Sequence, residues 1–100
     1  MSQEIEMLPR IVSAQPVIYG VLKISWNDGY AGVVDLQPDI SWGEVREYLR
    51  KPENFGKVSV SEYGHSIYWL NDDGYEIDFS SDTLRRDAER QANMHQLMAG

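Results

Sequence analysis

The chain has no cysteine. That excludes a disulfide framework, a thiolate metal site and a cysteine nucleophile, and it suits a reducing compartment. No apolar run approaches the ~20 residues that cross a bilayer. The start, Met1-Ser2-Gln3-Glu4-Ile5-Glu6, is acidic where a secretion signal is basic, so a soluble, cytoplasmic protein is expected. Cations are scarce: 9 Lys and Arg face 16 Asp and Glu, a net charge of −7. Nucleic-acid affinity rests on clustered cations that displace counterions, so a general nucleic-acid binder is not expected. Histidine is limited to His65 and His95. What remains is 100 residues, 42% of them hydrophobic, enough for one self-sufficient core and too few for two domains.

The charge is segregated. From Ser80 onward Asp82, Asp87 and Glu89 balance Arg85, Arg86 and Arg90, so the whole deficit lies in the preceding body. The expected organisation is a polar leader over 1–9, a single domain over 10–86, and a helical continuation over 87–100 that either frays or packs on something outside the domain.

Hydrophobic alternation and turn residues predict the elements. Ile11-Val12-Ser13-Ala14 reads as a short strand closed by Gln15-Pro16, and Val17–Trp26 and Tyr30–Leu36 as a hairpin about Asn27-Asp28-Gly29. A two-residue Asp28-Gly29 turn sets Leu22 opposite Asp35 and breaks the apolar face. A three-residue loop sets Trp26 opposite Tyr30, Ile24 opposite Gly32, Leu22 opposite Val34 and Gly20 opposite Leu36, and puts Gly29 at the left-handed position. Pro38 ends the strand. Ser41-Trp42-Gly43-Glu44 has capping-box spacing and predicts a short helix with Val45 and Leu49 inward, stopped by Pro52, with Phe55 anchoring the loop.

The second half repeats this plan. Val58 and Val60 mark a strand, Tyr63-Gly64-His65 a turn, and Ser66–Leu70 the first arm of a hairpin about Asp72-Asp73-Gly74 that pairs Trp69 with Ile77 and Ile67 with Phe79. Ser80 or Ser81 caps a longer helix with Leu84, Ala88, Gln91, Ala92, His95 and Met98 on one side. The fold class is therefore α+β: an antiparallel sheet from two hairpins and short strands, packed against a short middle helix and a C-terminal helix.

The course Trp26-Asn27-Asp28-Gly29, Val34-Asp35-Leu36, Leu49-Arg50-Lys51-Pro52-Glu53-Asn54-Phe55, Trp69 and Ile77-Asp78-Phe79-Ser80-Ser81-Asp82-Thr83-Leu84 resembles the small bacterial family known as domain of unknown function 2442, over about Arg10 to Arg86. The resemblance implies an α+β domain without an assigned activity. It also implies a regulatory or antitoxin-like role, since such domains often precede a helix-turn-helix region or are encoded beside a toxin-like partner. Too few residues follow Arg86 for such a region, so direct DNA reading is not expected.

No catalytic arrangement stands out: there is no Ser-His-Asp order, G-x-S-x-G or phosphate loop. Aligning Gly74 with the glycine of a calcium loop puts Trp69 at the first ligand and Ser80 at the bidentate one, so Asn71-Asp72-Asp73-Gly74 reads as a hairpin turn. Neither a cofactor nor a metal is expected. Asp28, Asp72, Asp73, Glu76 and Asp78 are the candidate partner-binding residues. Exposed carboxylates on the two hairpins would steer a basic protein, whereas the plain alternative is solubility and blunted sheet edges. A small carboxylate- or metal-dependent hydrolase and a phage-type nucleic-acid mimic are the competing functions. Arg85, Arg86 and Arg90 read as paired within the helix, Asp82 with Arg86 and Asp87 with Arg90. Trp26, Tyr30 and Trp69 are assigned to the core, Trp42 to a partly exposed helix entrance. The C-terminal helix is the expected contact of a homodimer.

Overall fold

The computed structural model describes residues 9–99, and side chains through Asn93. The expected leader and the side chains of His95 and Met98 lie outside the described residues.

Six strands form two antiparallel meanders. The first comprises β1 (Ile11–Ile18), β2 (Val21–Trp26) and β3 (Ala31–Asp35); the second comprises β4 (Ser59–Val60), β5 (Ser66–Leu70) and β6 (Glu76–Ser80). Between them run the helical turn α1 (Gln37–Ile40), a 3-10 turn (Glu47–Arg50) and the helical turn α2 (Pro52–Phe55), and the chain ends in α3 (Ser81–Ala99). The protein is α+β, and its antiparallel pairing is divided between two three-stranded sheets.

The hairpin registers follow the side chains. Leu22 pairs with Val34 and Ile24 with Gly32, the three-residue tip closes with Trp26 N donating to Tyr30 O (2.9 Å), and Gly29 takes a φ of 92°. In the second sheet Ile67 pairs with Phe79 and Trp69 with Ile77. One face of each hairpin thereby becomes continuous hydrocarbon, and both contribute to a single core.

Two stretches depart from expectation because proline acts there as a starter or an edge residue. β1 continues through Pro16 to Ile18, and Val17–Trp26 is split by a Tyr19-Gly20 turn. With Ile18 opposite Val21, and a register shift at Val17, Pro16 becomes a non-hydrogen-bonded partner of Leu22. Its ring nitrogen therefore faces the free edge, where no donor is missed. Pro38 opens α1 rather than merely ending β3, and Pro52, which does follow the end of the 3-10 turn at Arg50, also opens α2. The Ser41–Glu44 capping box does not form: Ser41 follows α1 and its hydroxyl donates back to Pro38 O (3.1 Å). The expected middle helix is instead a chain of short turns held by side chains. Arg46 donates to Asp39 O (2.8 Å), Arg50 to Ile40 O (2.8 Å) and Gly43 O, and Asn54 to Tyr48 O (3.0 Å). Val45, expected inward, is exposed, while Leu49 and Phe55 are buried as expected.

The helical segments are exchanged between the sheets. Phe55, in the segment that follows the first sheet, stacks on Trp69 of the second at 5.7 Å, and the Trp69 indole donates to Phe55 O (2.9 Å). α3, which follows the second sheet, covers the first. Ala88 lies so close to Gly32 that a Cβ there would stand 3.0 Å from the Ala88 Cβ, and the Trp26 indole donates to Ser81 Oγ (3.0 Å). Ser81 Oγ in turn donates to Pro9 O (3.0 Å), while Ser80 Oγ accepts from Thr83 N (3.3 Å) in the first turn of α3. Gly64 joins the sheets directly. Its O accepts from Ile11 N (2.8 Å), its φ is 73°, and an added Cβ would come 2.5 Å from Ile11 O.

Replacing Ser81 by Ala removes the acceptor of a buried indole N–H, an unsatisfied donor worth about 1–3 kcal/mol. The midpoint of urea unfolding, followed by tryptophan fluorescence, should fall accordingly with an unchanged slope. A midpoint equal to that of the parent would show that the hydroxyl is not coupling the two halves.

Candidate functional site

The two hairpin tips are similar in sequence and differ in electrostatic state. At the first, Asn27 ties the tip to the chain entering β1, with Arg10 N donating to Asn27 Oδ1 (3.0 Å) and Asn27 N donating to Arg10 O (2.8 Å). Asp28 Oδ1 accepts from Tyr30 N (3.2 Å). The two Asp28 oxygens also receive Arg85 of α3 at 3.3 and 2.9 Å. Arg85 bonds Glu89 as well (2.7 Å) and lies over the Tyr30 and Trp26 rings, 4.2 and 5.2 Å from their centres. The bidentate fork, the aromatic faces and a side chain only 19% exposed make this a fixed clamp rather than a casual surface pair. Hydrogen bonding to Arg85 is the largest influence on Asp28 and holds its carboxyl below the usual range. Burial works against the Arg85 charge, but the bonds to Asp28 and Glu89 outweigh it and raise its pKa. Asp28 is therefore already engaged within the protein.

At the second tip, Asn71 Oδ1 accepts from Asp73 N and Tyr75 N, both at 2.9 Å, and Gly74 N donates to Asn71 O (3.0 Å). The turn organises itself with backbone and amide groups and leaves both aspartates exposed. On β6, Glu76 lies opposite Leu70 and Asp78 opposite Tyr68, on the face away from Ile77 and Phe79. Both are exposed. None of Asp72, Asp73, Glu76 and Asp78 takes part in an ion pair among the described residues. Leu70 (55%) and Tyr75 (71%) are exposed on the same hairpin.

The candidate residues thus fall into three places. Asp28 is clamped to α3. Glu76 and Asp78 occupy the outer face of the second sheet. Asp72 and Asp73 form one wall of a groove of about 250 Å³, whose other wall carries Glu44, Glu47, Tyr48 and Lys51. Glu44 and Glu47 join the candidate surface only because the middle segment is not a regular helix, so no local periodicity marks them. Arg46 of that segment turns away, over the Phe79 ring at 5.0 Å. Of the ion pairs expected within α3, Asp87–Arg90 is present (3.4 Å), whereas Asp82–Arg86 is absent among the described residues. The pairing of Arg85 with Asp28 spans 57 positions and leaves no local signal.

Among the described residues no group of three His, Cys, Asp or Glu side chains converges as metal ligands do. His65 is exposed beside Tyr63, with ring centres 6.2 Å apart. What the second hairpin offers chemically is a field of hydrated negative charge with apolar side chains set among it. Compared with known proteins, the chain matches no family model, and no curated protein or solved structure shows significant similarity to it. No helix of the described residues is long and apolar enough to cross a membrane.

The Asp28–Arg85 clamp has a definite pH signature. A carboxyl whose pKa is depressed on folding contributes stability above its ordinary value, here 3.8, and loses it as pH falls through the lower folded value. The difference in urea midpoint between the parent and Asp28→Asn should therefore hold steady from neutral pH to about that value and shrink below it. A difference that persists undiminished at the acid end would mean the carboxylate charge is not what the clamp uses.

Proposed function

We propose that the protein is a non-enzymatic regulatory interaction domain that engages a basic protein partner through the second hairpin. The observation that carries this reading is the contrast between the tips: Asp28 is neutralised from within, while Asp72, Asp73, Glu76 and Asp78 are exposed and unpaired among the described residues. Arg46 and Arg50 are held at backbone carbonyls and Arg85 at Asp28 and Glu89, and none of the three ion-pairs with a carboxylate of the second hairpin among the described residues. Leu70 and Tyr75 add apolar and aromatic contact area, the kind of group that turns steering into residence. Cytoplasmic location belongs to the same proposal. An antitoxin-like role, which the family resemblance implies, is one form such an interaction takes.

The test is titration of a Lys- and Arg-rich peptide against two variants of equal net charge. One carries Asp72→Asn, Asp73→Asn, Glu76→Gln and Asp78→Asn; the other neutralises Asp39, Glu53, Glu62 and Asp82, which lie outside the groove and off the hairpin. Exposed charge pairs contribute about 0.5 kcal/mol each, so the hairpin variant should lose roughly thirtyfold in affinity at low salt. Most of that gap should close at physiological ionic strength. Equal losses in both variants would reduce the effect to net charge and end the case for a specific surface.

A further inference from the structure

The two sheets share a topology but not an outer face. In the second, the outward side chains of β5 and β6 include Glu76 and Asp78 and no cation. In the first, the outward rows are Ile18–Val21–Asp35, Gln15–Lys23–Val33 and Ser13–Ser25–Ala31. Their charges are one Lys and one Asp, which cancel, on a protein of net charge −7. Ile18 is 63% and Val33 46% exposed, with Val21 between them in the register. This is a face of zero net charge on an acidic body, polar at Ser13, Gln15 and Ser25 and apolar where Ile18, Val21 and Val33 come together.

Both edges of this sheet are broken up against further strands. On β3 the Gln91 side chain of α3 acts in place of a neighbouring strand: with its amide oriented to suit, its nitrogen donates to Val33 O (2.9 Å) and its oxygen accepts from Asp35 N (3.3 Å). On β1 the free edge is interrupted by Pro16, which has no N–H, and by Ile11, whose N–H already serves Gly64 O. An incoming chain therefore finds no continuous edge to extend, and packing face on face is the way to cover Ile18, Val21 and Val33 together.

We propose that the occupant of this face is a second copy of the chain, the two first sheets packing about 10 Å apart around a two-fold axis. Charge complementarity selects this occupant. Lys23 and Asp35 sit on diagonally adjacent positions of neighbouring strands and are unpaired with each other. A two-fold lets Lys23 of each copy face Asp35 of its mate. Two such bodies approaching through any face dominated by carboxylates would meet repulsion, whereas here the sum is zero and Ile18, Val21 and Val33 of each copy are covered by its mate. In the resulting dimer the acidic hairpins lie outside the contact. This inference does not depend on the proposed basic partner.

Light scattering on the full chain at high micromolar concentration tests it. The parent should show twice the chain mass, also in high salt, because burial of apolar area drives the contact. Val33→Glu and Ile18→Lys should each give the single-chain mass, with near-ultraviolet circular dichroism unchanged since both side chains are exposed. Arg86→Glu with Arg90→Glu, on the exposed side of α3, should leave the dimer intact. A monomeric parent, or a dimer that survives both face variants, overturns the proposal. Loss of the dimer with the α3 variant alone assigns the contact to the helix and overturns it equally.

Discussion

An indole N–H buried in hydrocarbon must find an acceptor, and the two core tryptophans find theirs across the molecule. Trp26 of the first sheet donates to Ser81 at the start of the helix that follows the second sheet. Trp69 of the second donates to Phe55 O in the segment that follows the first. A three-stranded meander exposes one hydrocarbon face and is marginal until something covers it. Each sheet here is covered by the other unit's helical segment, so neither half can complete its core alone. The two indole bonds fix that exchange, because leaving either donor unpaired in the core costs as much as a buried hydrogen bond. Gly64 adds a direct backbone seam, at a spacing that no side chain could share.

The exchange also decides where charge is visible. Bringing α3 over the first sheet places Arg85 against Trp26, Tyr30 and Asp28, which pairs the cation with the first hairpin's still-exposed aspartate. Bringing the middle segment under the second sheet turns Arg46 and Arg50 inward to backbone carbonyls left open by short, irregular helical turns. Several cations thus act as structural donors. The carboxylates of the second hairpin, by contrast, have no ion-pair partner among the described residues.

How much of this could be read from the residues depends on whether the cause was local. The hairpin registers were legible, because sliding Leu22 or Trp69 by one position would have put the entire apolar row on the wrong side. So were the burial of Trp26, Trp69, Leu49 and Phe55, the exposure of Trp42 and the serine start of α3. The prolines were misread because the residue has two compatible roles: Pro38 and Pro52 have the backbone angle of a helix start, and Pro16 lies in an edge strand with its nitrogen outward. Ser41 and Glu44 have the spacing of a capping box, but Ser41 is taken up in closing α1, so no helix starts there. The clustering of Asp72 and Asp73 with Glu44 and Glu47, and the withdrawal of Asp28, were not legible, since both follow from tertiary contacts far apart in sequence.

Duplicated topology makes the division of labour between the sheets intelligible. Both meanders need an apolar inner face, and the pairs Leu22–Val34, Ile24–Gly32, Ile67–Phe79 and Trp69–Ile77 meet that need in the same way. Outer faces carry no such constraint, so there the two units are free to differ. The first has Ile18, Val21 and Val33 with a balanced Lys23 and Asp35; the second has Glu76 and Asp78 among Tyr68 and Leu70. Because the exchanged helical segments lock the inner faces together, the outer faces stay on separate sheets and cannot neutralise one another. A face of zero net charge and a face of uncompensated carboxylates are thereby held on one small body, each set by its own sheet.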